Sequence, residues 1–366
     1  MGFRTFEAII LALGAVVATT VACGSDSDAS GAAGPDVDSG VANDGGIVEP
    51  PKDGGPSSRN DWKIFGTNEG LPSGDVRDLD VAKTTVWAAT FGGVVRIEGD
   101  TVTAFRKANG LPSDKCTAVA VDAVHNRVWV GTEDAGITYY EGGAWHAGPP
   151  LPTTNIGALG VEPSGAVWIG AGSLDPQGLF RYQAPSAIET FSMDGSDVRS
   201  IVVNKLGEVW VGTSLKGVAL RDVQGGWQWY NSSTLGFGVQ VADQVYEADD
   251  GAMWIASRGD GLLRRSGTNW TVYNLQFDPQ MPTADLTGVV VDASGVAWLA
   301  TQGAGFLRLE YKPAEATTIA GKGVWKQLRT NNSPLPDKDN SLTDVVRDAN
   351  DALWMAMPSG GIARLK

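Results

Sequence analysis

Charged side chains recur at the heads of short alternating apolar runs in this chain of 366 residues. Arg77 and Asp78 precede Leu79 and Val81, and Arg199 precedes Ile201 and Val203. Asp243, Asp285 and Asp344 stand just ahead of Val245, Leu286 and Val345. Arg258 and Asp260 directly follow the run Trp254-Ile255-Ala256-Ser257. Guanidinium and carboxylate groups brought to one rim would bind a charged or strongly hydrogen-bonding ligand, and converging aspartates would suit a divalent ion. Other chemistry has less support. There is no Gly-x-Ser-x-Gly elbow. Gly259-Asp260-Gly261 and Gly303-Ala304-Gly305 begin like a dinucleotide fingerprint but lack its third glycine and open a strand, so both read as turns.

The elements that must position these groups come from a repeat. The phrase Thr85-Val86-Trp87-Ala88-Ala89-Thr90 returns around Trp129, Trp168, Trp210, Trp254, Trp298 and Trp354, so successive tryptophans lie 42, 39, 42, 44, 44 and 56 residues apart. A period of roughly 40–45 residues is the length of a four-stranded propeller blade. Seven copies predict an all-β, seven-bladed β-propeller over 61–366. In blade one, 75–81 alternates as the innermost strand A and 86–90 is strand B around the Trp. Strand C covers 93–97 and outer strand D covers 101–105. A Gly-apolar pair opens strand C in every blade, often followed by an arginine as at Arg181, Arg264, Arg308 and Arg364. The tryptophans read as wedge-fillers between blades, not as ligand platforms. The chain ends on a C strand, Ile362 to Lys366, with no D strand after it. The domain begins with Trp62-Lys63-Ile64-Phe65, a D strand with no blade before it. Pairing the two would close the ring and remove the open radial edge.

In such a ring the loops entering A strands and the B–C loops share one face. That gathers Arg77, Asp78, Arg199, Asp243, Arg258, Asp260, Asp285 and Asp344 at the channel mouth, with Phe91, Asp134 and Lys216 beside them, as a small-ligand or peptide site. A solvated loop surface with local ion pairs would carry the same residue types. His125 falls in the A–B turn of blade two, on the opposite face, and His146 in an outer strand. Neither is placed to act as a general base with the mouth acids. No catalytic residue, cofactor or metal is expected.

The 42 acids against 28 bases give a net charge of −14, which argues against a nucleic-acid partner. Between Gly24 and Asn60 seven acids face two bases, so −5 of that charge lies outside the repeats. Arg4 and the apolar run from Ala8 to Ala22 read as a signal peptide over 1–22. The run ends in Thr20-Val21-Ala22-Cys23, which resembles a bacterial lipobox and implies lipidation of Cys23. Gly24, in place of a retaining Asp, directs such a lipoprotein to the outer membrane. Residues 23–60, rich in Ser, Asp, Gly and Pro, read as the lipidated Cys and a disordered tether. Cys116 is the other cysteine, so neither a disulfide framework nor a thiolate zinc site is available.

WD, kelch and sialidase signatures are missing. The copies Asp292-Ala293-Ser294-Gly295-Val296-Ala297-Trp298 and Asp249-Asp250-Gly251-Ala252-Met253-Trp254 resemble the two-component regulator propeller repeat. Gly70-Leu71-Pro72-Ser73 and Gly110-Leu111-Pro112-Ser113 resemble that family's turn before strand A. Blade one departs from it, with Lys83-Thr84-Thr85 at the turn. The resemblance implies an extracytoplasmic propeller that binds a ligand, here as a stand-alone lipoprotein without kinase or receiver. The expected protein is a monomer in the cell envelope, held to the membrane by its lipid alone, with an extracellular or periplasmic ligand or protein as partner. A protein-interaction scaffold is the alternative, and a metal-dependent propeller lyase or hydrolase a second.

Overall fold

A computed structural model describes residues 61–172, 178–312, 319–336 and 339–366. The signal peptide, Cys23 and the tether lie outside the described residues. The innermost strands are Val76–Ala82, Cys116–Asp122, Ile156–Val161, Val198–Val203, Ala242–Glu247, Leu286–Val291 and Asp344–Arg347. Each pairs antiparallel with a Trp-bearing strand, the first being Thr85–Thr90 and the last Leu353–Met357. Seven sheets of four strands result, which is the seven-bladed propeller the repeat predicts.

The core lies in the wedges between blades. The seven repeat tryptophans are between 0 and 5 % exposed. Each joins an apolar cluster with the next blade: Trp129 with Ile156, Leu159 and Ile169, Trp254 with Leu286, Val289 and Leu299, and Trp354 with Leu79, Val86 and Ala88. The recurring arginine of strand C now has a cause. Arg96, Arg264, Arg308 and Arg364 pair directly across the ladder from Trp87, Trp254, Trp298 and Trp354. Their guanidiniums lie 5.2–5.9 Å from those rings, a cation–π arrangement. Acids of the A–B turns satisfy several indole donors: Trp168 Nε1 donates to Glu162 at 2.8 Å, Trp298 to Asp292 at 2.7 Å and Trp354 to Asp348 at 3.0 Å. Glu162 also takes both Nε and Nη2 of Arg181, and that bidentate pair draws its carboxyl down to about 2.

The ring closes as the chain ends predict. Trp62–Phe65 pairs antiparallel with the C-terminal strand, with Trp62 opposite Leu365 and Phe65 opposite Ile362. Phe65 is fully buried and stacks on Trp354 at 5.5 Å. Arg364 extends the seam into blade one through Asp100 and the Gly99 carbonyl. Blades five and six are further tied by the connection before Lys322, where Val272 N–H donates to Ile319 O and Gly321 N–H to Val272 O, both at 2.8 Å. No helix among the described residues is long and apolar enough to cross a membrane.

Candidate functional site at the channel mouth

The inner strands surround a central channel of about 410 Å³. Their sequences align by register, which makes the channel a stack of residue rings. The second position holds Arg77, Thr117, Gly157, Arg199, Asp243, Thr287 and Thr343. The third holds Asp78, Ala118, Ala158, Ser200, Gln244, Gly288 and Asp344. In six blades the pairing with the Trp strand slips at this second residue, as between Val76 and Asp78 or between Ala242 and Gln244. A bulge re-aims a side chain, and Arg77 with Asp78, Arg199 with Ser200, and Asp243 with Gln244 all line the channel as successive pairs. Strict alternation would have sent one of each pair away from it.

The third ring stitches blade to blade. Asp78 accepts Val119 N–H at 2.7 Å, Asp344 accepts Leu79 N–H at 2.9 Å, and Ser200 accepts Val245 N–H at 3.1 Å. Gln244 spans a whole blade: its Oε1 accepts Val289 N–H at 2.5 Å while its Nε2 donates to Asp344 at 2.6 Å. Gly288 lies between, and a Cβ there would come within 3.2 Å of both Ala300 and Val345. Deeper, Asp80 accepts the N–H groups of Val121 and Val81, each at 2.7 Å. Blades three and four meet differently, by close approach: a Cβ on Gly157 would stand 2.6 Å from the Val198 carbonyl, and one on Gly160 2.6 Å from Ile201. That wall is therefore small and leaves the channel its space.

Burial sets the protonation of the channel acids. It pushes Asp80 and Asp344 up to about 6. Burial and the neighbouring Asp344 push Asp78 well above the usual carboxylate range. The like charge of Asp344 beside Asp78 favours a proton on one of the two.

The rim above is arranged in pairs. Arg77 is held by both oxygens of Asp75 at 2.7 Å and stacks over Phe91 at 4.0 Å. Across the channel, Arg258 Nη2 sits 2.8 Å from Asp243 Oδ2. Arg199 Nη1 stays 3.9 Å from Asp243 Oδ1, beyond hydrogen-bond range. The Asp243 side chain is only 7 % exposed, and its Oδ2 has no hydrogen bond of good geometry. Burial raises its pKa although both arginines pull it down.

Of the eight predicted residues, Arg77, Asp78, Arg199, Asp243 and Asp344 line the channel, and Arg258 joins them through Asp243. Asp260 and Asp285 are not channel-lining. Asp260 holds the Gln240 N–H at 2.8 Å and the Ser257 hydroxyl at 3.3 Å, and exposed Asp285 bridges to Arg258 through the backbone. Of the predicted neighbours, Asp134 pairs with Lys115 at 3.8 Å. Sequence reasoning missed Asp80, Gln244 and Tyr246. Aligning the third position of the seven inner strands would have found Gln244, because Asp, Ser and Gln there interrupt Ala and Gly. Neither histidine lines the channel: His125 Nδ1 lies 2.8 Å from Asp122, and His146 stacks on Tyr139 at 5.0 Å. Among the described residues no three His, Cys, Asp or Glu side chains are arranged to hold a metal ion.

No protein-family model matches the chain, and no curated protein matches it. Solved structures do. The extracellular domain of a hybrid two component system from B. thetaiotaomicron superposes with a TM-score of 0.67 at 20% identity, over 83% of this chain and 41% of that one. The chain thus spans well under half of that protein. A streptogramin B lyase matches with a TM-score of 0.66 at 14% identity, over 83% of this chain and 97% of the lyase. Virginiamycin B lyase from Staphylococcus aureus matches at 0.65 and 15%, over 83% and 98%. At these identities the likeness is one of fold, and it places the chain among seven-bladed β-propellers.

Proposed function

We propose that this chain is an extracytoplasmic, membrane-anchored propeller that binds a glycan, peptide or small molecule at the channel mouth, in a sensor-like role. The observation that carries the reading is the rim. A channel of about 410 Å³ opens beneath guanidiniums and a buried carboxylate whose mutual contacts are incomplete. Pre-placed polar groups with unused hydrogen-bonding capacity around a concavity are what a ligand site requires. The likeness to an extracellular domain of a two component system and the repeat pattern around Trp254 and Trp298 support the sensor-like part. The lipobox-like Val21-Ala22-Cys23 supports an anchor in the outer membrane, facing the periplasm or the cell surface.

A thermal-shift screen of saccharides, peptides and amino acids tests the binding reading, since a ligand selective for the folded state raises the melting temperature. For any hit, Arg199→Glu should weaken binding by about tenfold or more, equivalent to ~1.4 kcal/mol. Lys312→Glu and Lys322→Glu should leave it unchanged, because the Lys312–Lys322 pair ends the C–D hairpin of blade six, away from the mouth. Equal losses from both sets would move the site elsewhere. For the anchor, Cys23→Ser should shift the protein from the membrane to the soluble fraction on cell fractionation. Unchanged membrane retention would remove the lipid anchor from the account.

A further inference from the structure

The rim pair between blades four and five is not a finished ion pair. Arg199 and Asp243 occupy the same ring position in neighbouring inner strands, and their nearest atoms are 3.9 Å apart. Arg199 is 37 % exposed and has no hydrogen bond among the described residues, whereas Asp243 is nearly buried and faces the channel, its Oδ2 held 2.8 Å from Arg258 and its Oδ1 3.9 Å from Arg199. An exposed guanidinium beside a sheltered carboxylate whose Oδ1 it does not reach is complementary to a carboxylate and an ammonium carried on one carbon. The ligand carboxylate would take the Arg199 fork, and the ligand ammonium would donate to Asp243.

Below this pair the channel favours positive charge. The facing wall, from blades seven and one, carries Asp344, Asp78 and Asp80, each fixed by backbone N–H groups. The wall of blade three is apolar and mostly small, with Gly157, Ala158 and Gly160 beside Leu159 and Val161. Asp80 lies three residues below the rim ring, a depth of roughly 10 Å at about 3.3 Å per residue. A flexible cationic side chain entering from the rim passes the small wall and meets carboxylates whose backbone bonds have already oriented them. Burial holds these acids towards their neutral form, so an incoming cation would release protons as it restores their charge.

We infer that the channel mouth binds a free α-amino acid with a basic side chain, its zwitterionic head on Arg199 and Asp243 and its side-chain cation among Asp78, Asp80 and Asp344. This rests on the channel-mouth reading above. The test is isothermal titration of the full chain with L-lysine, 1,5-diaminopentane, 6-aminohexanoate and L-norleucine, which in turn keep both head groups, remove the carboxylate, remove the α-ammonium and remove the side-chain charge. L-lysine should bind about tenfold or more tighter than each of the others, and Arg199→Gln and Asp243→Asn should each abolish that preference. Titrations in buffers of different ionisation enthalpy at pH 6 should show proton release with L-lysine and none with L-norleucine. Equal binding of L-lysine and 1,5-diaminopentane, or no binding of L-lysine, overturns the inference. If a neutral saccharide binds instead and Arg199→Glu abolishes that binding, the channel-mouth reading stands and the amino-acid assignment falls. Arg199 is a surface residue, so Arg199→Gln keeps the fold intact even if Asp243→Asn does not.

Discussion

A chain beginning at Thr67 should melt far below one beginning at Ser57, and it should associate. The shorter chain lacks Trp62–Phe65, the outer strand of blade seven, and leaves the backbone of Ile362–Leu365 without its ladder partners. An unpaired edge of that kind invites strand addition from another molecule. Phe65 alone accounts for much of the loss. It is fully buried against Trp354 and Leu71, and truncating such a ring to Ala costs about 3–5 kcal/mol. At roughly 2 °C per kcal/mol for a domain of this size, Phe65→Ala should lower the melting midpoint by roughly 6–10 °C. Calorimetry and size-exclusion of both truncations decide the matter. Equal midpoints and elution volumes would mean that closure does not depend on this strand.

Stability should pass through a maximum near pH 4, below the neutral range where many folds are most stable. Asp80 and Asp344 titrate at about 6 in the fold, above their ordinary 3.8. Between those values the folded chain holds protons that the unfolded chain has lost, so stability falls as pH rises from about 4 to about 6 and then levels. Burial is the cause, and the cost is on the order of 1–3 kcal/mol for the group. Glu162 works in the opposite sense. Arg181 holds it at about 2, down from 4.5, so its contribution is complete above 4.5 and fades as pH drops towards 2. Melting curves from pH 3 to 8 should therefore rise on acidification to about pH 4 and then fall. Asp80→Asn should flatten the alkaline limb, and Glu162→Gln the acidic limb. A melting temperature that climbs steadily from pH 4 to 8 would contradict the protonation of the channel.

The fold was legible because blade packing repeats one chemical demand seven times. Every wedge needs a large flat side chain, so Trp recurs, and in several blades a turn acid takes the indole N–H and a strand-C arginine covers the ring face, so these recur with it. The channel was less legible because its residues do not repeat. Asp78, Ser200, Gln244 and Asp344 answer the same backbone N–H demand with three residue types, while Ala118 and Ala158 leave it unanswered. The bulge at the second ring position also breaks the period of two on which strand reading depends, so a single copy does not reveal that Arg77 and Asp78 share one lumen. Asp260 does not line the channel because the loop backbone takes up its carboxylate, at the Gln240 N–H.

The seam between the chain's ends also has a mechanical side. Trp62 lies opposite Leu365, and Lys366 N–H donates to Asp61 O at 3.0 Å, so the first and last residues of the ring are immediate neighbours. Tension drawn between them would load the ladder one bond at a time, as a zipper is opened from its tab, and not all bonds together in shear. A pull transmitted through the N-terminal segment would therefore peel the closing strand before disturbing any other blade. Force spectroscopy should record an early, low-force lengthening of a few residues, followed by a separate and much stronger event as the six internally complete blades give way.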